Sequence, residues 1–212
     1  MIVTNDMTIE VQASVALGVE LDPVREEERS LLTRCATGET EPYGQLVERY
    51  QLRVFNLVLR MLGDRSAAED ITQEAFIRAY QRLALYDLSR RFLPWLMKIA
   101  ANLARNYMKK KSRDARSVPL EWLSSLPAQG NDPEAETSQK EWLRRVETAL
   151  FALSPSARTA ILLKHQEGMS YEEMSEVMEE PVFILKMRVS RARKKMRTLL
   201  ERNQAKEGGS PS

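Results

Sequence analysis

Ser170-Tyr171-Glu172-Glu173-Met174-Ser175-Glu176-Val177-Met178-Glu179-Glu180-Pro181-Val182-Phe183-Ile184-Leu185-Lys186-Met187-Arg188-Val189-Ser190-Arg191-Ala192-Arg193-Lys194-Lys195 is the run that decides the fold class. It opens on a serine with a glutamate three residues on, the reciprocal pattern that closes a helix N-terminus. Glu179-Glu180-Pro181 ends that short helix, and a second helix runs from about Val182 to Arg202. On the second, Leu185, Val189, Ala192 and Met196 recur at spacings of four, three and four, so one stripe packs inward. Arg188, Arg191 and Lys195 lie on another face. A short helix, a tight turn and a basic helix make a helix-turn-helix pattern. Its cations can reach phosphates or base edges; the alternative for this segment alone is an ordinary basic surface helix.

Outward from this run, Ser154-Pro155 reads as an N-cap with proline in the first helical position, and Gly168 ends the helix they begin. The helical pattern starts near Ser138. Residues 114–138, with Pro119, Pro127, Gly130, Pro133 and several serines, read as a linker with a short helical turn around Leu120–Leu123. Further back, Leu46, Tyr50, Val54, Leu57 and Met61 form a helical apolar stripe that Gly63 stops. Ser66-Ala67-Ala68-Glu69 reads as a second capping box, opening a helix to roughly Leu83. About ten residues of loop follow, and Pro94 suits the first turn of a helix reaching about Lys111. No βαβ pattern appears, so the expected class is all-α. Two small helical domains are expected, joined by a flexible linker, the C-terminal one a helix-turn-helix. The boundaries read 1–25 (extension), 26–113 (first domain), 114–138 (linker), 139–203 (second domain) and 204–212 (tail). In the extension, Ile9 to Leu21 alternate apolar with polar or small residues. That reads as an edge strand, as a segment ordered by a partner, or as chain disordered in isolation.

The chain has 212 residues, 29% charged and 43% hydrophobic, a foldable, non-fibrous composition. No apolar run approaches the roughly 18 residues of a spanning helix. The start, Met1-Ile2-Val3-Thr4-Asn5-Asp6, lacks a basic segment leading an apolar one, so no secretory signal is expected and the cytoplasm is the expected compartment. One cysteine, Cys35, excludes an internal disulfide and a cysteine zinc cluster; one histidine, His165, excludes a multi-histidine metal site. No metal and no cofactor are expected. His165 precedes Gly168 at a helix C-terminus, a structural position, and Cys35 reads as a buried thiol.

The net charge of +2 conceals an asymmetry. Residues 1–48 carry ten acids against three bases. Residues 88–116 carry nine bases against Asp114, and residues 182–202 eight bases against Glu201. Two basic blocks inside helical patterns suggest two polyanion contacts. In the helix after Pro94, Leu96, Ile99, Leu103 and Tyr107 make the buried stripe. Trp95, Lys98, Asn102, Arg105, Asn106, Lys109 and Arg113 return at nearly whole turns and share a face. An aromatic, two amides and several bases suit an unpaired strand, through stacking, base-edge reading and phosphate contact; the alternative is that Trp95 is core. Asp70, Gln73 and Glu74, at i, i+3 and i+4 of another helix, form an acid-and-amide patch that suits a basic protein surface rather than DNA.

These residues resemble those of the extracytoplasmic-function sigma factors of bacterial RNA polymerase, over about residues 40–113 and 140–200. The carrying strings are Ala68-Glu69-Asp70-Ile71-Thr72-Gln73-Glu74-Ala75-Phe76, Phe92-Leu93-Pro94-Trp95-Leu96-Met97-Lys98-Ile99-Ala100-Ala101-Asn102, Gly168 to Met174, and Arg188-Val189-Ser190-Arg191-Ala192-Arg193. The resemblance implies a non-enzymatic initiation subunit that binds core RNA polymerase and promoter DNA and is controlled by an anti-sigma factor. Asp70, Gln73 and Glu74 would dock on the clamp helices of the largest subunit, and the helix-turn-helix domain on the β-subunit flap. Asn102 and Trp95, with the loop Asp87–Phe92 (Arg90, Arg91 and Phe92 included), would capture non-template bases of the minus-ten element. Lys98, Arg105, Asn106, Lys109, Lys110 and Arg113 would hold the strand there. Ser170, Tyr171, Lys186, Met187, Arg188, Arg191, Lys194 and Lys195 would contact the minus-thirty-five duplex. Captured bases offset an unstacking cost of a few kcal/mol each, and no nucleotide hydrolysis is implied. The chain departs from the family at the turn, where Glu179-Glu180 replace glycine, and at the recognition helix, which opens on Phe183-Ile184 and carries Met187. Ile184 and Met187 do not donate to phosphate; thymine methyls or protein are the contacts open to them. Two other readings are a DNA-binding regulator that does not support initiation and a helical enzyme acting on nucleic acid. The patch at Asp70, Gln73 and Glu74 argues against a plain repressor. One histidine and no carboxylate cluster argue against the enzyme.

Overall fold

The computed structural model describes residues 23–113 and 133–207; the alternating segment at Ile9–Leu21 and the turn at Leu120–Leu123 lie outside them. The elements are α1 (Pro23–Ala36), α2 (Glu41–Leu62), α3 (Arg65–Gln81), a 3-10 turn (Leu83–Leu85), α4 (Phe92–Arg113), α5 (Pro133–Phe151), α6 (Pro155–Ile161), a π turn (Leu162–Gln166), α7 (Tyr171–Met178) and α8 (Val182–Glu207). There is no strand among the described residues, and the fold is all-α as expected. The described residues divide into two compact units: Pro23–Arg49 with Arg82–Phe92, and Tyr50–Gln81 with Leu93–Arg113 and Pro133–Glu207.

In the first unit, α1 packs on the 3-10 turn. Leu31, Leu32, Leu46, Leu83, Tyr86 and Phe92 are its buried apolar side chains. Cys35 joins them as a free buried thiol whose pKa burial pushes up.

In the second unit, the α2 stripe Tyr50, Val54, Leu57 and Met61 is buried as its spacing predicts. Gly63 ends α2 at φ +67°, a backbone position open to glycine without a Cβ clash. The start of α3 corrects the sequence reading. Asp64, not Ser66, caps it: Asp64 Oδ1 accepts the Ala67 N–H at 3.1 Å. The glutamate of the expected box, Glu69, pairs with Arg65 at 2.9 Å instead. Asp64 is chosen because its other oxygen meets α4, taking the Tyr107 hydroxyl at 3.3 Å and Lys111 Nζ at 3.0 Å. On α4, Leu96 and Ile99 are buried as expected, but Leu103 and Tyr107 only partly. Met97, Ala100, Ala101 and Ala104 complete the inner face.

α5 begins at Pro133, five residues before the expected restart, with proline in the first turn. α8 packs against α5, α6 and α7. Leu150, Leu153, Leu163, Met174, Val177, Leu185, Val189 and Ala192 are buried there. Pro155 opens α6, but Ser154 makes no side-chain cap bond. Arg158 is buried, and its guanidinium donates to the carbonyls of Met61 at 2.8 Å and Phe151 at 3.0 Å. It also lies over the Phe151 ring at 4.0 Å. Burial lowers its pKa to about 10. The π turn, for which the sequence carries no signal, leads to Gly168 at φ +69°. His165 sits in that turn, its pKa lowered by desolvation, Arg193 and Lys164. The capping box at Ser170 forms in full: Glu173 N–H to Ser170 Oγ at 3.0 Å and Ser170 N–H to Glu173 Oε2 at 2.8 Å.

Candidate nucleic-acid and protein interfaces

On α3, Asp70 and Gln73 are exposed and Glu74 is half-exposed, tied at 2.6 Å to Arg78 one turn on. Ile77 and Tyr80 extend the same face at offsets of seven and ten from Asp70, and both are exposed, at 44% and 42%. This combination of acid, amide and apolar side chains suits a protein surface and repels a polyanion. Ile77 and Tyr80 were missed by the sequence reading, although their helical offset was available to it.

The loop Asp87–Phe92 is held from within its own unit. Asp87 Oδ1 accepts the N–H and hydroxyl of Ser89 at 2.9 and 2.7 Å, and these bonds hold its carboxyl below the usual range. The Tyr86 hydroxyl donates to the Arg90 carbonyl at 2.6 Å. From α1, Arg25 Nη2 reaches the Ser89 carbonyl at 3.3 Å, and Glu28 Oε1 accepts the Phe92 N–H at 3.2 Å. Arg90 and Arg91 are exposed. Phe92, which the resemblance assigns to DNA, is fully buried here, edge-on to the Tyr86 ring at 5.7 Å. The helix start places it inward, where it shapes the loop.

On α4, Asn106, Lys109 and Lys110 are exposed, Trp95, Lys98, Asn102 and Arg105 are half-buried, and the Arg113 side chain lies outside the described residues. Trp95 is therefore neither core nor a free surface ring. Lys98 Nζ pairs with Glu179 at 2.9 Å. Arg105 donates to Asn102 Oδ1 and to the carbonyls of Val177 and Met178 at 3.2 and 3.3 Å. Two of the side chains expected to read DNA are thus engaged by the end of α7.

On the helix-turn-helix, Ser170 Oγ is consumed as the α7 cap. The Tyr171 ring lies under Lys164 at 4.8 Å and Lys186 at 5.7 Å. Glu179 occupies the family's glycine position in the left-handed region, at φ 56°. Arg188, expected at phosphate, instead makes a half-buried ion pair with Glu180 at 2.5 Å. Lys195 Nζ donates to the Ala152 carbonyl at 2.8 Å but stays exposed. Arg191 and Lys194 are exposed, as are Phe183 (62%) and Met187 (43%). Beside α8, an apolar groove of about 750 Å3 is lined by Trp142, Val146, Leu150, Met196 and Leu200. Buried Glu147 also lines it; its Oε1 makes no hydrogen bond, and burial raises its pKa.

No described helix is long and apolar enough to cross a membrane, and no described cluster of three or more His, Cys, Asp or Glu is placed to hold a metal. Residues 46–114 match the family model of sigma-70 region 2, and residues 143–196 that of sigma-70 region 4. The chain is 34% identical over 170 residues to the ECF RNA polymerase sigma factor SigW of Bacillus subtilis, covering 77% of this chain and 91% of that one. It is 31% identical to the RNA polymerase sigma-H factor of Pseudomonas aeruginosa, covering 80% and 91%. Among solved structures it is similar to the sigma factor RpoE in complex with the anti-sigma factor NepR from Bartonella quintana. The TM-score there is 0.65 at 25% identity, covering 76% of this chain and 98% of that one.

Proposed function

Because the chain belongs to the extracytoplasmic-function family of RNA polymerase sigma factors, we propose how its described faces divide the work of promoter recognition. The proposed domains are residues 26–113 for polymerase and minus-ten binding and 139–203 for minus-thirty-five binding, with 114–138 as linker. The α3 face of Asp70, Gln73 and Glu74, extended by Ile77 and Tyr80, docks on the clamp helices of the polymerase's largest subunit. The apolar groove beside α8 takes the β-subunit flap. The chain works in the cytoplasm, does no bond chemistry of its own and answers to an anti-sigma factor.

On the α4 face, Asn102 reads an extruded non-template base, Trp95 stacks, and Lys98, Arg105, Asn106, Lys109, Lys110 and Arg113 hold the strand. Arg90 and Arg91 add two exposed cations from the loop before α4. Arg105 must first exchange the Val177 and Met178 carbonyls of α7 for DNA, which also releases Asn102. Charge-assisted bonds to phosphate are stronger than those to neutral carbonyls, so a melted strand can drive that exchange. Binding energy thereby offsets unstacking. The minus-thirty-five duplex is held by Arg191, Lys194, Lys195 and Lys186, with Tyr171 beside them. Arg188 serves the turn through Glu180 rather than the duplex.

One observation carries this reading: a single chain exposes an acid-and-amide face on α3 and cationic faces on α4 and α8. Binding of the chain with core polymerase to a premelted promoter fork tests it. Asp70→Ala with Gln73→Ala should abolish polymerase binding, and Asn102→Ala should weaken fork binding while polymerase binding stays. A wild type that binds duplex DNA but never polymerase would replace this reading with that of a regulator.

A further inference from the structure

The exposed face of α8 changes chemistry along its length. Phe183, Met187, Ser190, Arg191 and Lys194 lie at offsets of zero, four, seven, eight and eleven, so they share one face. Its N-terminal end is carbon, Phe183 at 62% and Met187 at 43% exposure. Its shaft is cationic. No acid occurs on the helix before Glu201.

An apolar tip on a protein-binding helix would not need a cationic shaft without acids. A polyanion does need one. In a helix-turn-helix the N-terminal end of the second helix meets the base edges while the flanking charges meet phosphate. The apolar feature of a major-groove edge is the thymine 5-methyl group. We propose that Phe183 and Met187 select promoters by packing against thymine 5-methyl groups in the upstream element. This rests on the reading of α7 and α8 as the duplex-binding unit. The two side chains sit about 6 Å apart along the helix axis, or about two base-pair steps of 3.4 Å. The upstream element should therefore carry two thymines within about two steps of each other.

The test uses holoenzyme, the full chain with core polymerase, to select duplexes from a library randomised upstream. Each thymine of a selected duplex is then replaced by deoxyuridine, which differs only by the missing methyl. Wild type should lose about fourfold in affinity at each of two neighbouring positions, the equivalent of one buried methyl each. Phe183→Ser with Met187→Ser should bind thymine and uracil duplexes alike and keep the wild-type salt dependence. Both side chains are exposed, so circular dichroism should be unchanged. Wild type indifferent to uracil at every selected position overturns the proposal while leaving duplex binding intact. Indifference together with loss of polymerase binding by the double variant assigns the face to protein. Failure to select any upstream element removes the duplex reading itself, and the proposal with it.

Discussion

Asp64 joins the α3 cap to α4, and its removal separates those two jobs. Asp64→Ala loses the bond to the Ala67 N–H, a cap worth about 1 kcal/mol. It also loses the Tyr107 hydroxyl bond, worth about 1 kcal/mol. The pair with Lys111 is about one-third exposed on each side, so solvent screening limits it to roughly 0.5 kcal/mol. The sum is about 2.5 kcal/mol, or a fall of about 5–10 °C in melting temperature for a chain of this size. Ser66→Ala, which the capping-box reading would make equally costly, should stay within about 0.5 kcal/mol of wild type. Asp64→Asn keeps a good cap acceptor and should cost only about 1 kcal/mol. The pH dependence has a definite sign. The Ala67 N–H, then Lys111 and Tyr107, hold the Asp64 carboxyl below its ordinary value of 3.8. A depressed acid stabilises the fold above its unfolded pKa, and that contribution is lost as pH falls through the depressed value. The gap between wild type and Asp64→Asn should therefore be full near neutrality and close as pH drops below about 4. Thermal melts followed by circular dichroism measure all of this. Equal losses for Asp64→Ala and Ser66→Ala, or a gap that does not close in acid, would refute the assignment.

Three further outcomes are expected. Arg158→Met should destabilise by about 2–4 kcal/mol, because the Met61 and Phe151 carbonyls lose a charged donor inside the protein; a shift under about 1 kcal/mol in urea unfolding would contradict it. Glu179→Gly should melt above Glu179→Ala, since both lose the exposed Lys98 pair but only glycine relieves a left-handed cost of about 1 kcal/mol. Glu28→Ala should speed hydrogen exchange at the Phe92 amide and open Asp87–Arg91 to protease, with no change at α7; unchanged exchange would remove α1 as the support of that loop.

Periodicity made most of the helices legible, because a 3.6-residue repeat is a local property of the chain. The α2 stripe, the α8 stripe, the Ser170 box and the faces of α3 and α4 all follow from offsets of three, four and seven. So did the family resemblance, since it rests on strings within single helices. What offsets along one helix leave undecided is which of several eligible side chains wins a distant partner. Ser66 and Asp64 both suit a cap, and Tyr107 and Lys111 on α4, more than forty residues away, favour Asp64. Phe92 and Trp95 both read as aromatics on a DNA-facing segment, and Glu28 and Tyr86 draw Phe92 inward. Arg188 and Arg191 are both basic on one helix, and Glu180 across the turn takes Arg188 alone. Arg105 is one of several cations on its face, and carbonyls more than seventy residues away take it. Sequence by itself determined which helices form and which residues share a face, because those depend on chemistry within a few turns. Only the tertiary structure decided which of those residues are occupied, buried or left free for a partner, because that depends on groups the chain brings together from afar.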